Sequence, residues 1–503
     1  MSEAAVREAP EGRRPDPSPA PRPGDDAVAS VVAAYRTVHD EVDLELPCLE
    51  GALPDGLRGF LYRNGAGKIE VGATQQMHPF DGDGMVSRFA IGEGRVHYRN
   101  RYVRTREYLE EEAAGRMLYR AFGTNRPGGL ISNLMRMRFK NAANTSVVWH
   151  GGRLLALWEA GQPHALDPET LATLGRHDFD GALSNRFPER LLFPELPFSA
   201  HPTVCPRTGE LFNFGLLIGP RTELLLHRVP ASGGPLTTWR YPLDQATFMH
   251  DFALTERHAV FFSTPVRFDV ARTLAGLTTP VEAIRQAPGV PTEILLIPRG
   301  GGEMRRFSAP SGFFLFHYFG AYEDGDRVVV HGCRMPGFAG GTVDLRDPAA
   351  IWAAPFELGE LARWTVDLSS GAVDEHRFGG ARLELPTLDP RFVTRRHRVG
   401  WGTARLEGGP PVLTGLARVD LESGRSEVRD LSPDLPGEPI FVPRAPDAAE
   451  GEGWLLSVMY RAETGRSELW VLDAERLTTV ARFGLPHHQP PGFHGCFVDA
   501  PPA

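Results

Sequence analysis

An apolar strand ending in aspartate, a short turn and a second strand recur along this chain. They read as "ALDPETLATLG" from Ala165, "TVDLSSGAVDEHRF" from Thr365, "RVDLESGRSEVRDL" from Arg418 and "WVLDAERLTTVARF" from Trp470. Each fits a tight hairpin, with Asp167, Asp367, Asp420 or Asp473 at the turn entrance, where a carboxylate accepts backbone N–H bonds. The preceding strand is legible in "SVVWHGGRLLALWEAG", with Gly151 and Gly152 at its turn. An isolated hairpin leaves unpaired edges, whereas four-stranded blades repeated around an axis protect them. The pattern therefore predicts an all-β chain built as a β-propeller, with a large double-sheet β-sandwich as the alternative. The repeat alone does not give the blade count.

Composition agrees with many short elements. Gly 55 and Pro 44 together make up near a fifth of the 503 residues, and the runs between them are four to eight residues long. A net charge of −9 argues against a nucleic-acid partner, and no aromatic-basic recognition motif is present. Cys48, Cys205, Cys333 and Cys496 lie far apart with no CxxC pair, which reads as free thiols in a reducing compartment. Residues 1–27 mix charge, Pro and Ala without an apolar signal core and are expected to be a disordered tail, followed by "ASVVAAYRTVHDEV" as a short helix. Residues 28–503 are expected to form one propeller domain. No apolar run reaches bilayer length, so the chain is not expected to span a membrane; the expected location is the cytoplasm, with peripheral membrane association.

Residues 105–140 break the strand pattern. Met117, Leu118, Tyr119, Phe122, Leu130, Ile131, Leu134, Met135, Met137 and Phe139 interleave with Arg116, Arg120, Arg126, Arg136, Arg138 and Lys140, with "RPGG" between. Such a segment suits an interfacial membrane anchor, with lipid contact over about 117–139. It suits equally a capping helix folded onto the propeller face with its arginines in solvent.

Of the 17 histidines, His97, His150, His258, His487 and His488 sit at predicted turns or in a Pro-rich loop and read as surface or structural residues. His201, His250, His317 and His494 instead sit in apolar or aromatic contexts at the ends of strand-like runs: "PFSAHPTV", "FMHDFALT", "FLFHYFGAYED" and "GFHGCFV". A propeller brings the inner strands of distant blades to one axis, so sparse histidines can converge there. Four neutral imidazoles suit Zn, Cu or Fe. An isolated histidine on an apolar run is more often a satisfied core residue, and both readings stand at this point. "DGDG" at 81–84 lacks the spacing of a calcium loop, so Asp81 and Asp83 are expected to fix a turn, with His78 structural.

The contexts "HPFDGDGMVSRF" (78–89), "AHPTVCPRTGELFNFG" (200–215), "HDFALTERHAVFF" (250–262), "FHYFGAYED" (316–324), "EPIFVPR" (438–444) and "GFHGCFV" (492–498) resemble the signature blocks of the carotenoid cleavage oxygenases. They run in family order from about residue 45 to the C-terminus. The resemblance implies a seven-bladed β-propeller with a small helical or loop cap over the metal face. It implies one Fe(II) held by His201, His250, His317 and His494, with Glu159, Glu384 and Glu438 behind the histidines and Thr145 restricting one open position. A metal-bound imidazole commonly donates its other N–H to a carboxylate, which is the physical reason for such glutamates.

Within the family, "RYVRTREYLEE", "LYRAFGTNRPGG", "KNAANTSVV" and "LLALWEAGQPHALDP" are most similar to bacterial apocarotenoid oxygenases. That likeness implies a dioxygenase that cleaves a central C=C bond of an apocarotenal or apocarotenol with O2 to retinal-like aldehydes, with no obligate protein partner. Stilbene-cleaving relatives carry a lysine before the first glutamate, where this chain has Trp158, so a stilbene dioxygenase is the alternative. Trp158, Phe248 and Phe316 are expected to line an apolar substrate tunnel. A metal-free binding scaffold is the rival from another class.

Overall fold

In the strand Gly453–Arg461, Leu455 and Met459 pack to one side with Trp401, Leu416 and Phe441, while Leu456 and Val458 pack to the other with Leu61, Phe89 and Tyr98. A strand that is apolar on both faces requires a sheet on each side. Among the described residues each blade sheet meets that requirement in the same way, so the series closes on itself.

The computed structural model describes residues 22–499 apart from 137, 188–193, 219–221, 339–340, 355–356 and 410. Blade 1 combines Asp43–Glu45, Arg95–Tyr102, Asp83–Gly92, Gly59–Lys68 and Gly495–Val498. Blade 2 runs Ser146–His150, Arg153–Leu157, His164–Leu166 and Thr173–Arg176. Blade 3 runs Thr203–Val204, Leu211–Leu217, Thr222–Val229 and Thr237–Leu243. Blade 4 runs Ala253–Leu254, His258–Ser263, Glu293–Pro298 and Arg305–Ser308. A seven-stranded sheet from Phe314 to Asp430 contains blades 5 and 6, joined through the long strand Val373–Leu388. Its first half pairs with Gly359–Asp367 and its second with Val399–Arg405. Gly379 and Gly380, both at positive φ, let it turn from one blade into the next. Blade 7 contains Ile440–Pro443, Gly453–Arg461, Arg466–Asp473, Thr479–Gly484 and Cys48–Gly51.

Seven buried apolar clusters fill the seven interfaces between consecutive blades. They include Tyr62 with Leu154, Leu157 with Phe198, Phe214 with Phe261, Phe262 with Trp364, Leu361 with Leu383, Trp401 with Phe441, and Phe483 with Phe89. Trp364 and Trp401 are fully buried at such interfaces; truncating either to alanine costs about 3–5 kcal/mol. The ring is locked at both chain ends. Phe60 pairs opposite Val498 in blade 1, and Cys48 opposite Phe483 in blade 7. The architecture is a seven-bladed β-propeller, and the sandwich alternative falls.

Three expectations need correction. The first helix spans Asp25–Ala34 and opens inside the stretch 1–27 read as tail, because Gly24 at φ 92 turns the chain and Asp25 and Asp26 occupy the first turn. Residues 1–21 of that expected tail lie outside the described residues. In the 105–140 segment, Arg120 and Lys140 are not rim cations but are fully buried. Arg120 donates to the Thr273 and Thr278 carbonyls at 2.7 and 2.8 Å, and Lys140 pairs with Asp83 and Glu111 at 2.8 and 2.7 Å. Asp81 and Asp83 accordingly do more than fix a turn. Asp81 accepts from the Gly123 N–H and the Thr124 hydroxyl at 2.9 and 2.6 Å, tying the cap to blade 1. Met117 is buried, while Leu130, Ile131, Leu134 and Met135 are exposed; Met137 lies outside the described residues.

Candidate metal centre

Each blade brings one polar residue to its innermost strand or to the residues just before it: His494, Thr145, His201, His250, His317, Glu384 and Glu438 for blades 1 to 7 in turn. Glu159 follows the second strand of blade 2. The ligand-capable nitrogens of His201, His250, His317 and His494 all lie within 4.8 Å of one another. Nε2 of His201 is 2.9 Å from Nε2 of His250.

Carboxylates occupy the other face of three rings. Nδ1 of His317 lies 2.5 Å from Glu384 Oε2, Nδ1 of His494 lies 2.8 Å from Glu438 Oε1, and Nδ1 of His250 lies 3.2 Å from Glu159 Oε2. With Nδ1 engaged as donor at His317 and His494, Nε2 of each is the free acceptor and points inward; at His250 the carboxylate stands close without a formed hydrogen bond. His201 has no glutamate, and Asp251 stands 3.9 Å from its Nδ1. The Asp251 carboxylate instead accepts the N–H groups of Phe252 at 2.7 Å and Tyr318 at 3.1 Å, so it fixes backbone.

Local irregularity aims these side chains. The strand Phe314–Asp324 shifts register on both sides of Tyr318, next to His317, and Val373–Leu388 shifts between Glu384 and Thr387, with Leu385 at φ 50. Bulges of this kind redirect a side chain without ending the strand. Where the inner segments leave the regular ladder, buried side chains bond their backbone. Asn213 donates to the Ser199 carbonyl at 2.8 Å, Ser146 to Ala200 at 2.5 Å, Asn64 to Ala143 and Ser146 at 2.9 and 2.8 Å, Thr403 to Glu384 at 2.9 Å and Ser457 to Gly437 at 2.8 Å. Thr145 donates its hydroxyl to Asn144 Oδ1 at 3.0 Å, and its carbonyl accepts the His494 N–H at 3.1 Å.

The donor set fits a divalent metal. Nε2 of His317 is buried and has no hydrogen-bond partner among the described residues, as expected of a ligand atom. Burial, reinforced by the neighbouring imidazoles, holds His201 neutral, well below the usual histidine range. Burial also lowers His494, against the pull of Glu438. At His317 the same burial is outweighed by Glu384, and the ring's pKa rises. Burial pushes Glu384 and Glu438 upward, but the adjoining histidines, with Arg63 at Glu438, outweigh it and keep both carboxylates below their ordinary value.

An aromatic wall adjoins the histidines. The Phe316 and Phe248 rings lie 5.2 and 6.3 Å from His250, and Phe314, Phe338 and Phe122 stack on or against Phe248 at 6.0, 5.8 and 6.4 Å. Phe122 brings the cap to this wall. Trp158 packs beside Gly161, next to Glu159. Among the histidines read as structural, His150 bonds the Pro230 carbonyl at 2.8 Å and His258 bonds Glu323 at 2.9 Å. Arg63, Asn64, Asn144, Ser199 and Asn213 were not legible as site residues. Arg63 left one signal, a charge inside the apolar strand "FLYRNG".

A family profile described as retinal pigment epithelial membrane protein matches residues 35–499. The chain is 36% identical over 485 residues to the apocarotenoid-15,15'-oxygenase of Synechocystis, covering 92% of this chain and 95% of that protein. It is 30% identical to lignostilbene-alpha,beta-dioxygenase isozyme III of Sphingomonas paucimobilis, covering 95% and 98%. The crystal structure of the cobalt-substituted Synechocystis enzyme superposes with a TM-score of 0.86 at 34% identity, over 94% of this chain and 99% of that one.

Proposed function

The chain belongs to the retinal pigment epithelial membrane protein family of carotenoid-type oxygenases, and from that premise we propose that it is a non-haem Fe(II) dioxygenase cleaving a central C=C bond of an apocarotenoid with O2. The observation that carries the reading is the convergence of four imidazoles, three backed by glutamates, beside a wall of phenylalanines. His201, His250, His317 and His494 would hold the iron. Iron(II) bound there supplies activation of O2, so that one alkene bond yields two aldehydes without an external reductant.

The protein's own groups do the rest. Glu384 and Glu438 orient the His317 and His494 rings and favour their Nδ1–H tautomers, and Glu159 stands 3.2 Å behind the His250 ring. Thr145, its hydroxyl turned to Asn144, stands at the blade 2 position of the same ring of residues and narrows access there. Phe122, Phe248, Phe316 and Phe338 offer flat apolar surface to a polyene and keep water away from the reacting bond. Trp158 adds apolar surface beside Glu159 and no cation for a phenolate, which favours the polyene over a stilbene.

Substrate delivery follows from solubility. Leu130, Ile131, Leu134 and Met135, with exposed Leu277, form an apolar surface that we assign to peripheral contact with lipid, where an apocarotenoid resides. Replacing Leu130, Ile131 and Leu134 with Ser is expected to reduce liposome binding while sparing activity in detergent; unchanged binding refutes the contact.

The test of function is O2 uptake by anaerobically purified, Fe(II)-loaded protein given an apocarotenal, with product masses after reaction in labelled O2. Labelled retinal-like aldehyde is expected. Turnover of a stilbene but no apocarotenoid would transfer the reading to that substrate, and protein that takes up no metal would favour a binding scaffold.

A further inference from the structure

The three glutamates behind the histidines have unequal surroundings. Glu384 meets His317 and the Leu385 N–H, and its Oε1 has no hydrogen-bond partner among the described residues. Glu159 is partly exposed beside His250. Glu438 faces a cation. Arg63, 2% exposed on the strand Gly59–Lys68, donates Nη1 to Glu438 Oε2 and Nη2 to the Phe493 carbonyl at 3.0 Å. Glu438 Oε2 also accepts the Gly495 N–H at 3.1 Å, which leaves Oε1 for His494 Nδ1.

One planar guanidinium thus grips both the carboxylate that directs the His494 ring and the peptide carbonyl immediately before His494. The pairing register sets this up, because Arg63 lies directly opposite Gly495 in the ladder of blade 1. A forked donor of fixed geometry suits this double grip, and lysine does not reproduce it. Charge points the same way. The site gathers several buried carboxylates, Arg63 is the cation set against Glu438, and a buried ion left without its partner is strongly disfavoured.

We propose that Arg63 is a positioning residue of the metal centre: it fixes the direction of His494 through Glu438 and Phe493, and it supplies the countercharge to the buried Glu438 carboxylate. The proposal rests on the reading of the four histidines as metal ligands.

Wild type, Arg63→Lys, Arg63→Met and the double variant Arg63→Met/Glu438→Gln, each loaded with Co(II), test it through the visible absorption of the metal and the rate at which a chelator removes it. Arg63→Met is expected to shift the Co(II) bands and speed metal loss about 10–100-fold, the range for removing a partner behind a ligand. Arg63→Lys, with the charge but not the fork, is expected to fall between. If Arg63→Met does not fold, the double variant, which also removes the carboxylate charge, is expected to recover soluble protein that still loses metal quickly. A double variant that also fails to fold would assign Arg63 to packing and overturn the proposal. So would an Arg63→Met protein with wild-type bands and release rate. Wild type that takes up no Co(II) removes the metal-centre reading itself, and the proposal with it, an outcome that the wild-type arm reports separately.

Discussion

At the outer hairpins of blades 2, 5, 6 and 7, Asp167, Asp367, Asp420 and Asp473 each accept the N–H groups two and three residues ahead. At the axis, His494 in blade 1 depends on Glu438 in blade 7, and His317 in blade 5 depends on Glu384, which opens blade 6. The outer turns are local, exposed and repeated, so each is replaceable. The axial groups are buried or partly buried and have partners distant in the chain, so each loss leaves a specific polar group stranded. One fold therefore contains a tolerant edge and an exacting one, and function sits on the exacting one.

The largest effect that would break this contrast lies at a ligand. His317→Ala is expected to lose bound metal and O2 uptake together, read by elemental analysis of the purified protein. Full metal content in that variant would mean that the axial residues are as replaceable as the turns. One step out, Glu384→Gln should keep the fold while weakening metal affinity or activity about 10–100-fold, measured by competition with a chelator.

A third prediction concerns scaffold rather than site. Asn213→Ala strands the buried Ser199 hydroxyl and Phe214 N–H and is expected to cost about 1–3 kcal/mol in denaturant unfolding, with modest effect on the metal-bound protein's turnover. No change in stability would show that the ring of buried Asn and Ser does not hold the axial segments.

The smallest effect belongs to the outer edge. Asp167→Asn should change stability by no more than about 0.5 kcal/mol and leave metal content unchanged. The Thr170 N–H and hydroxyl hold the Asp167 carboxyl below its ordinary value of 3.8. The sign follows from linkage: a lowered folded pKa contributes stability above the unfolded value and loses it as pH falls through the folded one. The wild-type advantage over Asp167→Asn is therefore expected at neutral pH and should fade below about pH 4, as pH-dependent unfolding would reveal. An advantage that grew on acidification would contradict the hydrogen-bond account.

The two edges also differ in how far they could be read from the chain. The four aspartate turns were legible because short apolar runs and turn chemistry are local signals. The four histidines were legible as candidates by their apolar contexts, and the family resemblance selected them together with Glu159, Glu384, Glu438 and Thr145. Arg63, Asn64, Asn144 and Asn213 were missed because each looks like an ordinary polar residue until its partner, often from another blade, is known. The cap was misread in part for the same reason. Arg120 and Lys140 carry the composition of a cationic rim, yet Asp83, Glu111 and the carbonyls of residues 273 and 278 draw them inward.

By itself the sequence determined the strand alternation, the turn positions and the chemical nature of the donors, since these depend on neighbours a few residues apart. Only the tertiary structure decided which of 17 histidines meet, which carboxylate stands behind which ring, and that a guanidinium balances Glu438. The reason is geometric. Closing seven blades into a ring sets the distances between residues hundreds of positions apart, and no local rule carries that information.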